Sequence, residues 1–162
     1  MDQSLPTEVI DRFSGEHAAL SNFAPVWVWL AGRRYPSVEH AYQAAKTLDV
    51  DERAAIRMAR SPGEAKRLGQ SVTLRPDWDT ARLGVMRRLL VQKFDQASFA
   101  EVLLSTGDAQ LVEGNDWGDV FWGVCRGSGE GKNYLGRMLM DIRQELRVAR
   151  EHFAAGGASV SL

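Results

Sequence analysis

Val26–Leu30 and Arg33–Tyr35 flank the pair Ala31-Gly32, and these runs predict two extended segments joined by a hairpin turn. Beyond Ser37 the apolar spacing changes to threes and fours. Val38, Ala41, Ala45 and Leu48 form one stripe of a helix that Ser37 caps and that is expected to run to about Leu48. Asp51–Arg60 reads as a second, more polar helix. Ser61-Pro62-Gly63-Glu64 has the form of a capping box with proline at the first helical position, and Gly69 is a suitable stop. Asp77 is placed to cap a long helix in which Val85, Met86, Leu89, Leu90 and Phe94 share a face. Ser98 and Glu101 form another capping box, and Gly107 ends that helix. Gln110–Glu113 and Val120–Val124 are expected to be short strands. After the glycine-rich loop Gly127–Lys132, Asn133 caps a final helix with Leu135, Met138, Leu139, Ile142 and Leu146 inward.

Helical patterns outweigh extended ones, so the expected class is mainly α, an α+β fold with a small β element. The 162 residues fit one domain, with its core over about residues 13–150 and a small-residue tail over 154–162. Hydrophobic residues make up 44% of the chain and charged residues 25%, enough for a packed core without disulfide staples. One cysteine, Cys125, excludes an internal disulfide and fits a reducing compartment. Met1–Ile10 carries no apolar run of the signal-peptide kind, and no stretch reaches the ~18 apolar residues of a membrane span. These features predict a cytoplasmic protein with no membrane partner. The net charge of −1 gives no global attraction to nucleic acid, although a local basic groove is compatible with it.

Candidate chemistry is concentrated after Ser37. Glu39, Gln43 and Lys46 fall on one helical face, with about 10 Å of rise between the first and the last. A carboxylate, an amide and an amine in one row can act together on a ligand. The plainer reading is a solvated charged face, with Glu39 favouring the helix dipole and Lys46 in water. His40 points off this face and reads as structural. Trp78, between Asp77 and Asp79 at a helix start, either stacks on a planar base or plugs the core edge.

Glu113, Asp116 and Asp119 precede Phe121-Trp122-Gly123. The aromatic neighbours of Asp119 are of the kind that raise a carboxyl pKa for proton transfer. Its other reading is a turn former, which is the favoured reading for Asp116. Backbone N–H groups of the loop Gly127–Asn133 are candidates for phosphate binding at a helix N-terminus, with a plain loop as the alternative. Lys132 stands where a Rossmann fingerprint needs its third glycine, and the Lys-Ser or Lys-Thr of a P-loop is missing. His17, His40 and His152 do not pair with Cys125 at a metal-site spacing, so neither metal nor cofactor is expected.

Taken in order, Ser21-Asn22-Phe23, Tyr35-Pro36-Ser37-Val38-Glu39-His40-Ala41-Tyr42-Gln43-Ala44-Ala45-Lys46, Ser61-Pro62, Asp77-Trp78, Lys93-Phe94, Leu103-Leu104-Ser105-Thr106-Gly107, Asp119 with Trp122-Gly123, and Gly131-Lys132-Asn133 resemble the NADAR family. The likeness runs from about Phe13 to Leu146. It implies a YbiA-like, mainly helical fold and N-glycosidase activity without a cofactor. The family's substrate classes are phosphoribosylamino pyrimidines, which are riboflavin-synthesis intermediates, and ADP-ribose on guanine in nucleic acid. Its catalytic residues fall on Glu39, Lys46 and Asp119. Substrate contacts fall on Asn22, Phe23, Gln43, Trp78, Trp122, Gly131, Lys132 and Asn133. The match is weaker at Cys125 and Arg126, which bears on substrate choice.

Both substrate classes join ribose C1′ to an exocyclic amine. Lys46 can be read as a Schiff-base amine, with Glu39 or Asp119 moving protons. Alternatively it only binds, while a carboxylate activates water. Two other classes of protein remain as competitors. A non-catalytic module for ADP-ribose or a related nucleotide would bind without turnover, and a structural adaptor would bind no such ligand. Oligomeric state is not legible from the chain.

Overall fold

The computed structural model describes residues 7–156. The chain divides into two compact units, one formed by Ala18–Gln96 and one by the two ends of the chain, the segment up to His17 and the segment from Ala97.

In the Ala18–Gln96 unit the expected hairpin is present. Strands β2 (Val28–Leu30) and β3 (Arg33–Tyr35) pair antiparallel, with Leu30 opposite Arg33. Ala31 and Gly32 both have positive φ, 48° and 75°, as the tight two-residue turn of a twisted hairpin requires. Four helices follow: α1 (Val38–Ala45), α2 (Val50–Arg57), α3 (Pro62–Gly69) and α4 (Trp78–Phe94). Helix α1 packs against the other three and against β2 and β3, and all eight of its residues are buried. A helix so enclosed cannot have a wet face, so the solvated-face reading of Glu39 and Gln43 is overturned. Around it lie Leu20, Val28, Tyr35, Ile56, Met86, Leu89, Leu90 and Phe94, each no more than 2% exposed.

Several boundaries differ from the sequence reading. Helix α1 stops at Ala45, and Leu48 is 60% exposed instead of completing the stripe. The reason is local: Thr47 Oγ1 donates to Glu52 Oε2 at 2.5 Å, Arg53 Nε donates to the Thr47 carbonyl at 2.7 Å, and the Asp49 side chain caps α2. These bonds turn the chain before Leu48. Ser61 caps α3 as expected, and Gly69 is the last residue of that helix, with Gln70 at the C-cap. Asp77 takes the cap position of α4 without a side-chain capping bond, because Arg75 holds its carboxylate in two hydrogen bonds.

The second unit is built on two helices, α5 (Ala97–Ser105) and α6 (Tyr134–Gly156), with two small parallel pairs. Strand β1 (Val9–Ile10) pairs with β4 (Gln110–Leu111), and β5 (Gly114–Asn115) with β6 (Val124–Cys125). The strand expected over Val120–Val124 is therefore confined to its end, and that over Gln110–Glu113 to its start. Helix α5 begins before Ser98, so Ser98 does not cap it, and Glu101 is ion-paired with Arg150 instead. Gly107, with φ 57°, follows its end. Leu103, Leu111, Leu135, Leu139 and Ile142 form this core. Helix α6 continues through Ala154–Gly156, where a tail was expected; the rest of that tail, 157–162, lies outside the described residues.

Candidate active site

Helix α1 presents Glu39, Tyr42, Gln43 and Lys46 at spacings of three, four and seven, so they share one face. Gln43 Nε2 donates to Glu39 Oε1 at 2.8 Å, with both residues buried. The Glu39 backbone N–H donates to the carbonyl of Asn22 at 3.1 Å. This ties the Ser21-Asn22-Phe23 segment to the first turn of α1. Asn22 Nδ2 also approaches Met86 Sδ at 3.6 Å. Asn22 Oδ1 and Gln43 Oε1 are buried without a hydrogen-bond partner, two unsatisfied acceptors of the kind that call for a ligand or water donor. Phe23 is 44% exposed, open to a ligand.

Lys46 closes the row as the C-cap residue of α1 and is partly buried. Burial pushes its pKa below the ordinary lysine value; the Glu39 carboxylate opposes that shift and Lys66 reinforces it. Its Nζ stands 5.7 Å from the centroid of the Tyr42 ring. Behind Tyr42 lies Trp78, with centroids 5.2 Å apart and the rings inclined at 55°. The Arg75 N–H donates to the Lys46 carbonyl at 2.7 Å, and this bond brings the start of α4 to the end of α1. Trp78 is only 6% exposed, so its visible contact is with Tyr42. Tyr42 and Arg75 were missed in the sequence. The spacing of Tyr42 relative to Glu39 and Lys46 was the available signal; for Arg75 there was none.

His40 is structural, as expected. Its Nδ1 lies 2.7 Å from Ser37 Oγ and its Nε2 lies 3.1 Å from the Ala59 carbonyl, and burial lowers its pKa.

The second unit holds the remaining candidates. Asp119 Oδ1 accepts from the Phe121 and Trp122 N–H groups at 3.0 and 2.9 Å, an Asx turn that shapes the loop. Fully buried Asn115 donates to the Asp119 and Val124 carbonyls and accepts from the Asp119 N–H. Asp116 is held bidentately by Arg126. The Trp122 ring meets Phe121 edge-on at 4.9 Å.

The phosphate cradle expected at the start of α6 is corrected. The N–H groups of Asn133, Tyr134 and Leu135 donate to the carbonyls of Gly123, Phe121 and Trp122, and that of Lys132 to Val120. Donors already satisfied by backbone carbonyls cannot also hold an anion. Gly131 is required by packing, since a Cβ there would lie 2.1 Å from the Gly123 carbonyl oxygen. Asn133, with φ 52°, uses its side chain to clip the strand region, accepting from the Glu113 N–H and donating to the Leu111 carbonyl. Lys132 is exposed, with Nζ 5.9 Å from the Phe121 and Tyr134 rings. Among the described residues no group of His, Cys, Asp and Glu is arranged to hold a metal ion, and no helix is long and apolar enough to cross a membrane.

A family model described as the NADAR domain matches residues 11–147. The chain is 39% identical over 140 residues to the N-glycosidase YbiA of Escherichia coli (strain K12), covering 85% of this chain and 86% of that protein. It is 40% identical over 134 residues to the riboflavin biosynthesis protein VVA0006 of Vibrio vulnificus (strain YJ016), covering 81% of this chain and 36% of that longer protein. The NMR structure of E. coli YbiA matches with a TM-score of 0.76 at 36% identity, over 92% of this chain and 91% of that one.

Proposed function

This chain belongs to the NADAR family, and on that premise we propose that it is an N-glycosidase cutting the bond between ribose C1′ and an exocyclic amine. The observation that carries the reading is Lys46, an amine with a lowered pKa in one row with the buried Glu39–Gln43 pair. A lysine is a nucleophile only when neutral, and desolvation favours that form. The proposed substrates are phosphoribosylamino pyrimidines, favoured by the riboflavin-synthesis name of the Vibrio relative. Guanine bearing ADP-ribose in nucleic acid is the second class with the same C1′–amine bond.

The proposed chemistry runs in four steps. The amine lone pair expels the ring oxygen from C1′, and that oxygen takes a proton from Glu39 or Asp119. Lys46 Nζ adds to the resulting C1′ imine. The base amine, once protonated, departs and leaves a C1′–Nζ Schiff base. Water then adds to C1′, Nζ leaves, and the free sugar and the neutral lysine return. In this scheme Trp78 acts through Tyr42, keeping that ring under Nζ, and Gln43 holds the Glu39 carboxylate. Asp119 supplies the second carboxylate: Oδ1 shapes the loop, while Oδ2 makes no hydrogen bond among the described residues. Asn22, Phe23, Trp122 and Lys132 are proposed to contact substrate, whereas the Asn133 side chain is committed to the Glu113 and Leu111 backbone.

The test is sugar release from both substrate classes, followed by mass spectrometry, with Glu39→Gln and Lys46→Ala beside the wild type. Release lost in both variants is expected. Borohydride added during turnover should trap one sugar on the wild type and none on Lys46→Ala. Trapping at another lysine would remove the role given to Lys46. Binding without release would leave a nucleotide-binding module.

A further inference from the structure

A second concentration of charge lies away from the face carrying Glu39 and Lys46. Residues 18–96 hold thirteen lysines and arginines against eight aspartates and glutamates, a net of +5 in a chain whose total is −1. Three of these cations, Arg33 of β3 and Arg53 and Arg57 of α2, line one cavity of about 350 Å³ with Tyr35. Arg53 and Arg57 are four residues apart and so share a face of α2, while Arg33 enters from the hairpin. No carboxylate lines the cavity, and among the described residues none of the three guanidinium groups is in an ion pair. Arg53 is anchored by Nε to the Thr47 carbonyl at 2.7 Å, and its two terminal nitrogens have no acceptor among the described residues.

Tyr35 adds a neutral donor. It is 2% exposed, and its hydroxyl has no hydrogen-bond partner among the described residues. Burial raises its pKa, against the opposing pull of Arg53, Arg57 and Arg33, so the proton stays on at neutral pH. Like charges converging on one hollow repel one another unless an anion sits among them. Planar guanidinium groups match phosphate oxygens in pairs, which lysines and isolated surface charges do not. The cavity exceeds a bare phosphate ion and falls within the range of small-ligand sites.

We propose that this cavity is a phosphate-binding site for a nucleotide or a nucleic-acid strand, with Arg33, Arg53 and Arg57 on the phosphate oxygens and the Tyr35 hydroxyl as a further donor. None of Glu39, Gln43, Lys46 and Trp78 lines it, so the site is additional to the proposed glycosidase face.

The experiment follows the arginine side-chain Nε–H signals of the full chain by NMR at low salt. Inorganic phosphate, adenosine monophosphate and a single-stranded trinucleotide are added separately. Saturable shifts of Arg33, Arg53 and Arg57 are expected. Arg57→Gln should weaken binding by about tenfold and Tyr35→Phe by about threefold, while Arg60→Gln, an exposed control, should not weaken it. Equal affinity for mononucleotide and trinucleotide identifies a free nucleotide as the source, and clearly tighter trinucleotide binding identifies a strand. Absence of saturable shifts with all three probes overturns the proposal. So does an equal loss in Arg57→Gln and Arg60→Gln, which would mean diffuse attraction. Glu39→Gln should keep the phosphate response while losing sugar release, so either reading can fail without the other.

Discussion

Gly69 and Gln43 approach so closely that a Cβ at Gly69 would lie 2.0 Å from Gln43 Oε1. The glycine ends α3, and the amide it faces leaves no room for a side chain there. Gln43 in turn holds Glu39 Oε1 at 2.8 Å, so one small residue on α3 fixes the position of a carboxylate on α1. Gly69→Ala adds a better helix former, worth up to about 1 kcal/mol, yet the overlap should cost about 1–3 kcal/mol. The expected outcome is a lower Tm by differential scanning calorimetry together with reduced sugar release. A variant as stable and active as the wild type would show that Gln43 need not stay where it is.

The lowered pKa of Lys46 predicts a rate limb. The neutral amine grows as pH rises through the Lys46 pKa, which lies below the ordinary lysine value. Turnover should therefore reach its alkaline plateau earlier than an unperturbed lysine, at ~10.4, would allow. Because the Glu39 carboxylate stabilises the ammonium form, Glu39→Gln should lower the Lys46 pKa further. NMR titration of the lysine Cε signals checks both statements. A Lys46 midpoint at or above the ordinary value sinks the nucleophile assignment.

Asp119 separates a loop role from a chemical one. Asp119→Asn keeps an Oδ1 acceptor for the Phe121 and Trp122 N–H groups, so its Tm should stay near that of the wild type. Asp119→Ala removes both bonds and should cost about 1–3 kcal/mol. Under the proposed chemistry both variants lose at least about tenfold in sugar release. If Asp119→Asn kept full turnover, the residue would be a loop anchor alone.

His40 predicts how stability depends on acid. Its pKa is lowered from 6.5 in the folded chain, chiefly by burial. Between the folded value and ~6.5 the unfolded chain binds more protons, so stability falls as pH drops through that window. Urea unfolding at a series of pH values should show this loss in the wild type. In His40→Asn the curve starts lower, since the bonds to Ser37 and Ala59 are weakened, but it should be flatter. An equally steep curve in the variant would move the acid sensitivity elsewhere.

Local order alone placed a good part of the chain. The Ala31-Gly32 turn, the Ser37 and Ser61 caps and the inward face of α4 depend on neighbours within a few residues, which periodicity and cap chemistry describe well. The ordered motifs from Asn22 to Asn133 were enough to indicate the family. The shared face of Glu39, Gln43 and Lys46 followed from helical spacing. Everything that depends on what surrounds a residue was left to the tertiary structure. Spacing cannot tell a wet face from a buried one, and only packing by α2, α3 and α4 enclosed α1 and shifted Lys46. A glycine-rich loop before a helix looks like an anion cradle in sequence, but the N–H groups of Lys132 to Leu135 at the helix start were taken by the carbonyls of Val120 to Gly123, which no local pattern reveals. The Arg33, Arg53 and Arg57 cavity joins a hairpin to a helix twenty residues on. The sequence by itself determined which side chains exist to do chemistry and which of them share a helix. The fold decided which of them are dry, which are already bonded and which still lack a partner, because burial and hydrogen bonding are properties of neighbours far apart in the chain.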